Sequence, residues 1–233
     1  MSDSAGGSTW ATLPPPVLEE LDRLRRYLEG YAARTPVRRV VAVGNAPLPP
    51  SRERAELIDS ADLVFRCNSL VLDSPGGEPC LGRATHVVTL ARATRPTPWV
   101  FEDYRSRAYL VVDVGNTRRP SPPRTPPNWP ADLGAWPISN RSFGIPLKLG
   151  MRPHRLGLGA VPTTGTLMAY VAHALYGGPE LYLTGYSFLA DREQTEWQHH
   201  WGPTVPVHKA HKLDAEGAIL QSWVDDGTAT FLP

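Results

Sequence analysis

The sequence has few cysteines, little net charge and no secretory signal pattern at its start. Cys67 and Cys80 are too few for a disulfide framework, so we expect both thiols to be reduced and packed. The 24 Lys and Arg residues against 23 Asp and Glu residues leave a net charge of +1, which supplies no field for a nucleic-acid backbone. We therefore expect a cytoplasmic protein with no nucleic-acid partner.

A hydrophobic run of membrane-spanning length is also lacking. The longest segment without Asp, Glu, Lys or Arg is 156–179, and it contains Pro162, three threonines and five glycines. This segment does not have the unbroken apolar character of a transmembrane helix. The sequence therefore predicts no membrane span.

The common glycine-rich phosphate motifs are missing as well. Neither G-x-G-x-x-G nor G-x-x-x-x-G-K-[ST] occurs in the chain. The sequence therefore supports neither a Rossmann dinucleotide fingerprint nor a P-loop.

Proline is abundant, at 25 of 233 residues, and it is concentrated in one segment. Six of the eleven residues from Pro120 to Pro130 are proline, which excludes a regular helix or a central strand there. We assign 118–137 to a Pro-rich loop, which is either a disordered insert or a lid over a substrate. Trp129 and Trp136 beside it would either stack on a sugar ring or pack locally.

Strand-like and helix-like segments alternate along most of the chain. Residues 1–16 are small, polar and proline-rich, and we treat them as a disordered leader before a single domain over 17–233. Short β-branched runs between amphipathic segments are typical of a three-layer α/β/α sandwich with a mainly parallel, Rossmann-like sheet. The predicted helices are Val17–Arg34, Ser51–Ser60, Thr164–Tyr176 and His211–Val224, and the predicted strands are Arg39–Val43, Leu63–Arg66, Thr85–Leu90, Ala108–Val114, Glu180–Thr184 and Thr228–Leu232.

Loops at the carboxyl ends of the strands are where such a fold binds its ligand. Gly44 and Asn45 follow the first strand, and Asn68 follows the second. Glycine allows a close approach of the backbone, and asparagine offers donors and acceptors to a phosphate or a ribose. The alternative is that the Gly-Asn pair is an ordinary turn.

A second loop contains Thr163, Thr164 and Gly165 and opens the helix predicted to be buried. The free N–H groups at a helix N-terminus, together with threonine hydroxyls, make a site for an anion or a nucleotide sugar. The alternative is an ordinary threonine N-cap.

A third loop is rich in histidine, because His199, His200, His208 and His211 fall within thirteen residues. The spacing of His208 and His211 fits a metal site, although neither cysteine nor an H-E-x-x-H motif accompanies them. The alternative is that separate histidines act as a general base and as a phosphate contact, with Glu216 fixing one ring.

Taken in order, these segments resemble the motifs of the animal sialyltransferases, glycosyltransferase family 29. The long motif is close to V-G-N followed by I-D-x-x-D-x-V-x-R-x-N. The segments that resemble the long, short, third and last motifs are, in turn, Val40–Asn45 with Ile58–Asn68, Pro162–Gly165 with Leu181–Phe188, His199–Gly202, and His211 with Glu216.

The resemblance implies the GT-A-like variant of the sialyltransferases, a CMP-activated donor and a single inverting displacement without a metal or other cofactor. The absence of an Asp-x-Asp motif agrees with metal-free transfer. It implies that His211 is the general base, that Glu216 supports its segment, and that either His199 or His200 contacts the leaving phosphate. The donor-binding residues that it implies are Gly44, Asn45, Asn68, Thr163, Thr164, Gly165, Gly185, Tyr186, His199 and His200.

Several features depart from the family pattern. No cysteine precedes Val43 and none lies near Pro162, so the disulfide that joins the long and short motifs in animal members cannot form. His200 stands where the family usually has tyrosine. The chain is also shorter and lacks the membrane anchor, which suggests a soluble bacterial-style relative with a small acceptor or a donor other than sialic acid.

The leading functional prediction is a metal-independent inverting glycosyltransferase. Its donor would be CMP-sialic acid or a similar acidic sugar, and its acceptor a small molecule or a glycan. The alternatives are a hydrolase of a CMP-linked metabolite with His211 activating water, a nucleotide-binding module without turnover, and a metal hydrolase.

Overall fold

The computed structural model describes most of the chain, namely residues 15–91, 96–112, 128–152, 159–178 and 180–233. Residues 1–14 of the predicted leader and the first half of the Pro-rich loop, 118–127, lie outside the described residues. Residues 15 and 16, which the sequence analysis included in the leader, belong to the first turn of a helix. Proline is accommodated there because the first helical turn needs no backbone N–H donor.

Helices and strands alternate in the described part of the chain, and no helix within it combines the length and apolar character needed to cross a membrane. The helices are α1 (Pro15–Glu29), α2 (Arg52–Asp59), α3 (Ile145–Met151), α4 (Thr164–Tyr176) and α5 (Leu213–Asp225). The strands are β1 (Val40–Val43), β2 (Leu63–Cys67), β3 (Val87–Ala91), β4 (Ala108–Val112), β5 (Trp136–Ile138), β6 (Leu181–Thr184), β7 (Glu196–Trp197), β8 (Val205–Pro206) and β9 (Thr230–Phe231).

One sheet of seven strands forms the centre of the protein, in the order β5-β4-β3-β2-β1-β6-β9 with parallel pairing between all neighbours. At the end of β1, Val43 pairs with Arg66 of β2 and with Thr184 of β6. The strands β1 and β4 are apolar and buried along their whole length, as expected for a parallel sheet covered on both faces. The predicted α/β fold with a mainly parallel sheet is confirmed.

Helices cover both faces of the sheet and complete three layers. Val40 and Ala42 of β1 belong to the apolar cluster that includes side chains of α1, α4 and α5. Val41 and Val43 belong to a different cluster, with Ile58 of α2. This division follows the two-residue period of a strand, in which successive side chains lie on opposite faces.

The order of the strands places a switch point between β1 and β6. From β1 the chain adds β2, β3, β4 and β5 on one side, and it then crosses to β6 and β9 on the other side. The loops after β1 and β6 therefore run in opposite directions and leave a crevice at the carboxyl ends of these two strands. Gly44 and Gly185, the first residues after β1 and β6, lie at this crevice.

Some elements differ from the sequence prediction. The strand β5 lies at the end of the segment assigned to the Pro-rich loop, and its Pro137 is tolerated because β5 is an edge strand. The helix α3 and the β7–β8 hairpin were not predicted, since such short elements show no measurable periodicity. Helix α1 ends at Glu29, before the predicted Arg34, and Gly30 follows it, a residue that disfavours helix.

The two tryptophans beside the Pro-rich loop pack against the protein itself. Trp129 is buried with its ring centroid 5.9 Å from that of Phe101, and the ring centroids of Trp136 and Tyr27 are 5.2 Å apart. Of the two interpretations of these rings, local packing is the one that the structure supports.

Candidate active site

A cleft of about 370 Å³ opens at the carboxyl ends of the central strands, at the switch point between β1 and β6. It is formed by the loops after β1, β2 and β6, the start of α4, the β7 segment and the loop before α5. The predicted site residues that line it are Gly44, Asn45, Asn68, Thr163, Thr164, Gly165, Gly185, Tyr186, His199 and His211. Two predicted residues, Glu216 and His200, are not among the lining residues.

Gly44 and Gly185 bring the loops after β1 and β6 into direct backbone contact. A Cβ atom on Gly44 would lie 2.2 Å from the carbonyl oxygen of Gly185, and a Cβ on Gly185 would lie 2.8 Å from that of Gly44. Gly185 also has a φ of +73°, which favours glycine. The base of the cleft therefore requires glycine at both positions.

Asn45 and Asn68 are anchored to the backbone of neighbouring strands. The side-chain amide of Asn45 donates to the carbonyl oxygen of Cys67 at 3.1 Å. The Oδ1 atom of Asn68 accepts from the backbone N–H of Ala91 at 3.0 Å, and its φ is +42°, a left-handed conformation that asparagine tolerates better than most residues. Both amides are thus held in fixed positions at the cleft wall.

The start of α4 forms a second wall. Thr163 is the N-cap, and its Oγ1 accepts from the N–H of Thr166 at 3.1 Å. A Cβ on Gly165 would lie 3.5 Å from the ring of Tyr186 and 3.8 Å from the sulfur of Cys67, so the first turn packs closely on the cleft floor. The Tyr186 hydroxyl donates to the carbonyl oxygen of Gly165 at 3.3 Å, which ties the loop after β6 to this turn.

Glu216 holds the start of α4 from behind and is fully buried. Its Oε2 atom accepts from the Thr163 N–H at 2.9 Å, the Thr163 hydroxyl at 2.7 Å and the Thr166 hydroxyl at 2.5 Å. Burial raises the pKa of the Glu216 carboxyl, while the threonine donors and the nearby His211 oppose the rise. The described hydrogen bonds of Glu216 thus join α5 to the first turn of α4, and none of them comes from a histidine ring.

His211 is held by a backbone carbonyl rather than by a carboxylate. Its Nδ1 atom lies 2.7 Å from the carbonyl oxygen of Val161. Because a carbonyl oxygen can only accept, Nδ1 carries the proton in the neutral ring and Nε2 has the lone pair. The Val161 N–H in turn donates to the carbonyl oxygen of Ala210 at 2.9 Å, so the two segments are bonded in both directions.

The adjacent histidines of the third loop lie in different surroundings. His199 lines the cleft, and its ring lies nearly parallel to that of Trp197, with centroids 6.3 Å apart and 11° between the planes. The His200 ring instead accepts a hydrogen bond from the backbone N–H of Leu48 at 3.1 Å. Burial lowers the pKa of both imidazoles from 6.5. Of the two, His199 is the one that lines this cleft.

The cleft also has aromatic and amide lining residues that the sequence analysis missed. Phe188, Trp197 and Gln198 line it, and the ring centroids of Phe188 and Trp197 are 6.2 Å apart. Trp197 and Gln198 directly precede His199 in the sequence. Their position next to a predicted site residue is the signal by which they could have been found.

The cleft is lined by uncharged side chains together with two histidines. The lining residues that the structure describes include no Asp, Glu, Lys or Arg. Across the described ranges, no group of three or more His, Cys, Asp or Glu side chains is arranged to hold a metal ion. His208 and His211 have ring centroids 6.1 Å apart, and the His208 Nδ1 accepts from the Ala210 N–H at 3.2 Å.

Comparisons with known proteins bear on the fold. The sequence matches no protein-family model and no curated protein. Two similar solved structures are crystal structures of a mammalian sialyltransferase, the second in complex with Gal-beta-1-3GalNAc-ortho-nitrophenol. Their TM-scores are 0.54 and 0.53 at 15% and 17% identity, and each alignment covers 94% of this chain and 86% of the other. The chain therefore has a sialyltransferase-like fold.

Proposed function

We propose that this protein is a metal-independent inverting glycosyltransferase that uses a CMP-activated sugar, CMP-sialic acid or a similar acidic sugar. The observation that carries the proposal is the state of His211. Its ring lines the switch-point cleft, and the Val161 carbonyl fixes the tautomer in which Nε2 has the lone pair. An imidazole nitrogen with a free lone pair is the group that most often serves as a general base in enzymes.

The donor would be held mainly by neutral groups. Asn45 and Asn68 offer amides to the phosphate and the ribose, and the N-terminus of α4 at Thr164 and Gly165 offers backbone N–H groups and a favourable helix dipole. The aromatic rings of Phe188 and the nearby residues of β7 give the pyrimidine a flat surface.

His199 would contact the phosphate that leaves. Burial lowers the pKa of His199 below 6.5, so the free ring is neutral at pH 7 and donates through its N–H group. Donors aimed at the phosphate stabilise the negative charge that develops as the leaving group departs.

The reaction is a single displacement at the anomeric carbon. Nε2 of His211 removes the proton of the acceptor hydroxyl while the acceptor oxygen forms its bond to the anomeric carbon. The bond between that carbon and the phosphate oxygen breaks, and CMP leaves with the electron pair. Attack from the face opposite the leaving group inverts the configuration.

A second cleft gives the acceptor space. It has a volume of about 490 Å³ and shares Ala46, Tyr186, Ser187 and Gln198 with the first cleft. A hydrolase needs room only for water next to the donor. The adjoining space therefore favours transfer to a larger acceptor over hydrolysis.

Product analysis tests the proposal directly. The purified chain is incubated with CMP-sialic acid and, because one similar structure contains it, with Gal-beta-1-3GalNAc-ortho-nitrophenol as acceptor. We expect release of CMP together with a glycosylated acceptor of inverted anomeric configuration, unaffected by a chelator. Free sugar as the sole product would identify a hydrolase. Absence of both CMP release and CMP binding by calorimetry, with a panel of CMP-sugars, would exclude the proposal.

A further inference from the structure

The β7–β8 hairpin places His199 at the cleft on a tip formed by residues 198–204. Each strand of this hairpin has only two residues. An isolated two-stranded hairpin is marginally stable in water, so its position depends on contacts with the rest of the protein. The location of His199 is therefore set by the groups that hold the tip.

His200 makes two hydrogen bonds between the tip and the loop after β1. Its backbone N–H donates to the carbonyl oxygen of Asn45 at 3.3 Å, and its ring Nε2 accepts from the N–H of Leu48 at 3.1 Å. An edge-to-face contact between Trp201 and Trp99, with centroids 5.0 Å apart, adds an apolar attachment. Because Asn45 and His199 both line the cleft, His200 joins two of its walls.

We propose that His200 is a positioning residue that fixes His199 relative to Asn45, and that it does so only while its ring is unprotonated. The pair of hydrogen bonds made by His200 is called the His200 latch below. Its consequence for catalysis rests on the proposed function, because His199 and Asn45 are the residues assigned to the donor phosphate. His200 itself touches no substrate.

The acid sensitivity of the latch follows from the direction of its ring hydrogen bond. The Leu48 N–H is a donor, so Nε2 of His200 must present a lone pair and Nδ1 carries the proton. A protonated imidazole has N–H groups at both nitrogens. Protonation would therefore place an Nε2–H group opposite the Leu48 N–H. Because two donors cannot form a hydrogen bond with each other, this bond would break.

The charges around the ring come from three elements. Burial and Arg54 of α2 lower the pKa of His200 from 6.5, and Asp73 in the loop after β2 opposes the shift. Arg66 of β2 borders the same recess, but its guanidinium donates to the carbonyl oxygens of Ala84 and Leu81. The latch is therefore closed at neutral pH and opens as the pH falls below 6.5 through this lowered pKa.

Two substitutions distinguish the effect of the ring hydrogen bond from the effect of side-chain volume. In His200→Gln, the amide oxygen accepts from the Leu48 N–H at every pH, and we expect CMP affinity at pH 7.5 within about three-fold of the wild type. In His200→Leu, that N–H loses its acceptor, and we expect affinity to fall about ten-fold. His208→Leu, an exposed position outside both clefts, is the matched control and should leave the affinity unchanged.

The pH profile gives a readout that simple loss of packing would not change. Calorimetric CMP affinity is measured from pH 7.5 to 5.5, and the wild type should lose more affinity in acid than His200→Gln. His199 is present in both proteins, so the difference between them isolates His200. Parallel profiles for the two proteins would overturn the proposal, and this comparison decides even if His200→Leu fails to fold.

Nuclear magnetic resonance tests the latch without any ligand. In protein labelled with ¹⁵N at histidine, the resonance missing from His200→Gln identifies His200, and we expect the Nδ1–H tautomer. In uniformly ¹⁵N-labelled protein, the protection factor of the Leu48 amide, its exchange rate relative to the intrinsic rate at the same pH, should fall as this ring protonates. An Nε2–H tautomer would overturn the latch. If the wild type binds no CMP, the proposed function fails and the latch is judged on these two measurements.

Discussion

The Nδ1 atom of His211 lies 2.7 Å from the carbonyl oxygen of Val161, and this contact decides which ring nitrogen can act as a base. Since the carbonyl can only accept, the neutral ring has one tautomer, with its lone pair on Nε2. The backbone thus orients the proposed base, His211, while the carboxylate of Glu216 accepts from Thr163 instead. The effects of His211 and Glu216 can therefore be separated by substituting each residue alone.

Removing the proposed base while keeping its backbone contact should slow transfer strongly. In His211→Asn the amide NH₂ can still donate to the Val161 carbonyl, but no group in its place takes a proton. We expect the rate of CMP release to fall by about 10²- to 10⁴-fold and the CMP affinity to stay within a few-fold. The assay uses saturating donor, with His208→Asn as the control. A rate above one tenth of the wild type would contradict the assignment of His211 as the base.

We expect Glu216 to contribute mainly to the stability of the fold. Glu216→Ala leaves the Thr163 N–H and two threonine hydroxyls without their buried acceptor, so we expect a loss of about 2–4 kcal/mol in the free energy of unfolding. Glu216→Gln keeps one acceptor oxygen and should lose less. Urea unfolding provides the measurement.

The matched control for Glu216 lies in the same helical turn. Asp214 is exposed, and Asp214→Asn should change the free energy of unfolding by about 0.5 kcal/mol or less. A Glu216→Gln protein with wild-type stability and a hundred-fold lower rate would instead indicate direct participation of the carboxylate in the reaction.

Close contact of two backbones makes Gly44 sensitive to a single methyl group. In Gly44→Ala the new Cβ would lie 2.2 Å from the carbonyl oxygen of Gly185, so the loops after β1 and β6 must separate. We expect a loss of about 2 kcal/mol or more, measured by urea unfolding. Gly134→Ala is the control, because a Cβ there meets nothing within 4 Å, and its effect should be about 0.5 kcal/mol or less. Equal effects of the two substitutions would disprove the close contact.

The central part of the fold is predictable because its elements are bounded by clear local signals. The predicted helix Thr164–Tyr176 has the same bounds as α4, and Arg39–Val43 is one residue longer than β1. Strands of two or three residues, such as β5 and β7, carry no periodicity of their own. Their pairing is decided by contacts distant in sequence, which local patterns do not contain.

The candidate site is predictable where a loop contains a local sequence signal of its own, such as a turn or a helix start. Gly44, Asn45 and Gly165 follow directly from turn and helix-start signals, and all three line the cleft. His199 lines the cleft and the adjacent His200 does not, although both are histidines of the same loop. Which one does so depends on how the hairpin tip meets the loop after β1, and this is a tertiary relationship.

Some residues of the long motif line the cleft and others support the backbone, and the sequence does not reveal which do which. Asn68 lines the cleft, whereas Asp62 accepts from the backbone N–H groups of Arg38 and Arg39 at 2.9 Å. Arg66 is buried and donates to backbone carbonyl oxygens, and burial lowers its pKa to about 10. Polar residues of one motif can therefore either contact a ligand or satisfy the backbone, and only their surroundings distinguish the two.

His86 should make the fold less stable in mild acid. Its Nδ1 accepts from the Val64 N–H at 3.0 Å, so protonation would remove a hydrogen bond inside the protein. Burial, with Arg66 and Arg107 nearby, lowers the pKa of His86 from 6.5, although Asp62 opposes this. The unfolded chain therefore binds the proton more readily than the folded one. The contribution of His86 to the free energy of unfolding is fully present above pH 6.5 and is lost as the pH falls through the lowered pKa.

His86→Asn isolates this contribution, because its side-chain oxygen can accept from the Val64 N–H but does not titrate. We expect the free energy of unfolding, measured in urea from pH 7.5 to 5.0, to fall less in this variant, by an amount on the order of 1 kcal/mol. The decline should not vanish, because burial also lowers the pKa of His173, whose ring stacks on Trp223 with centroids 4.3 Å apart. Coincident pH profiles for His86→Asn and the wild type would show that the His86 ring does not titrate differently in the folded and unfolded chain.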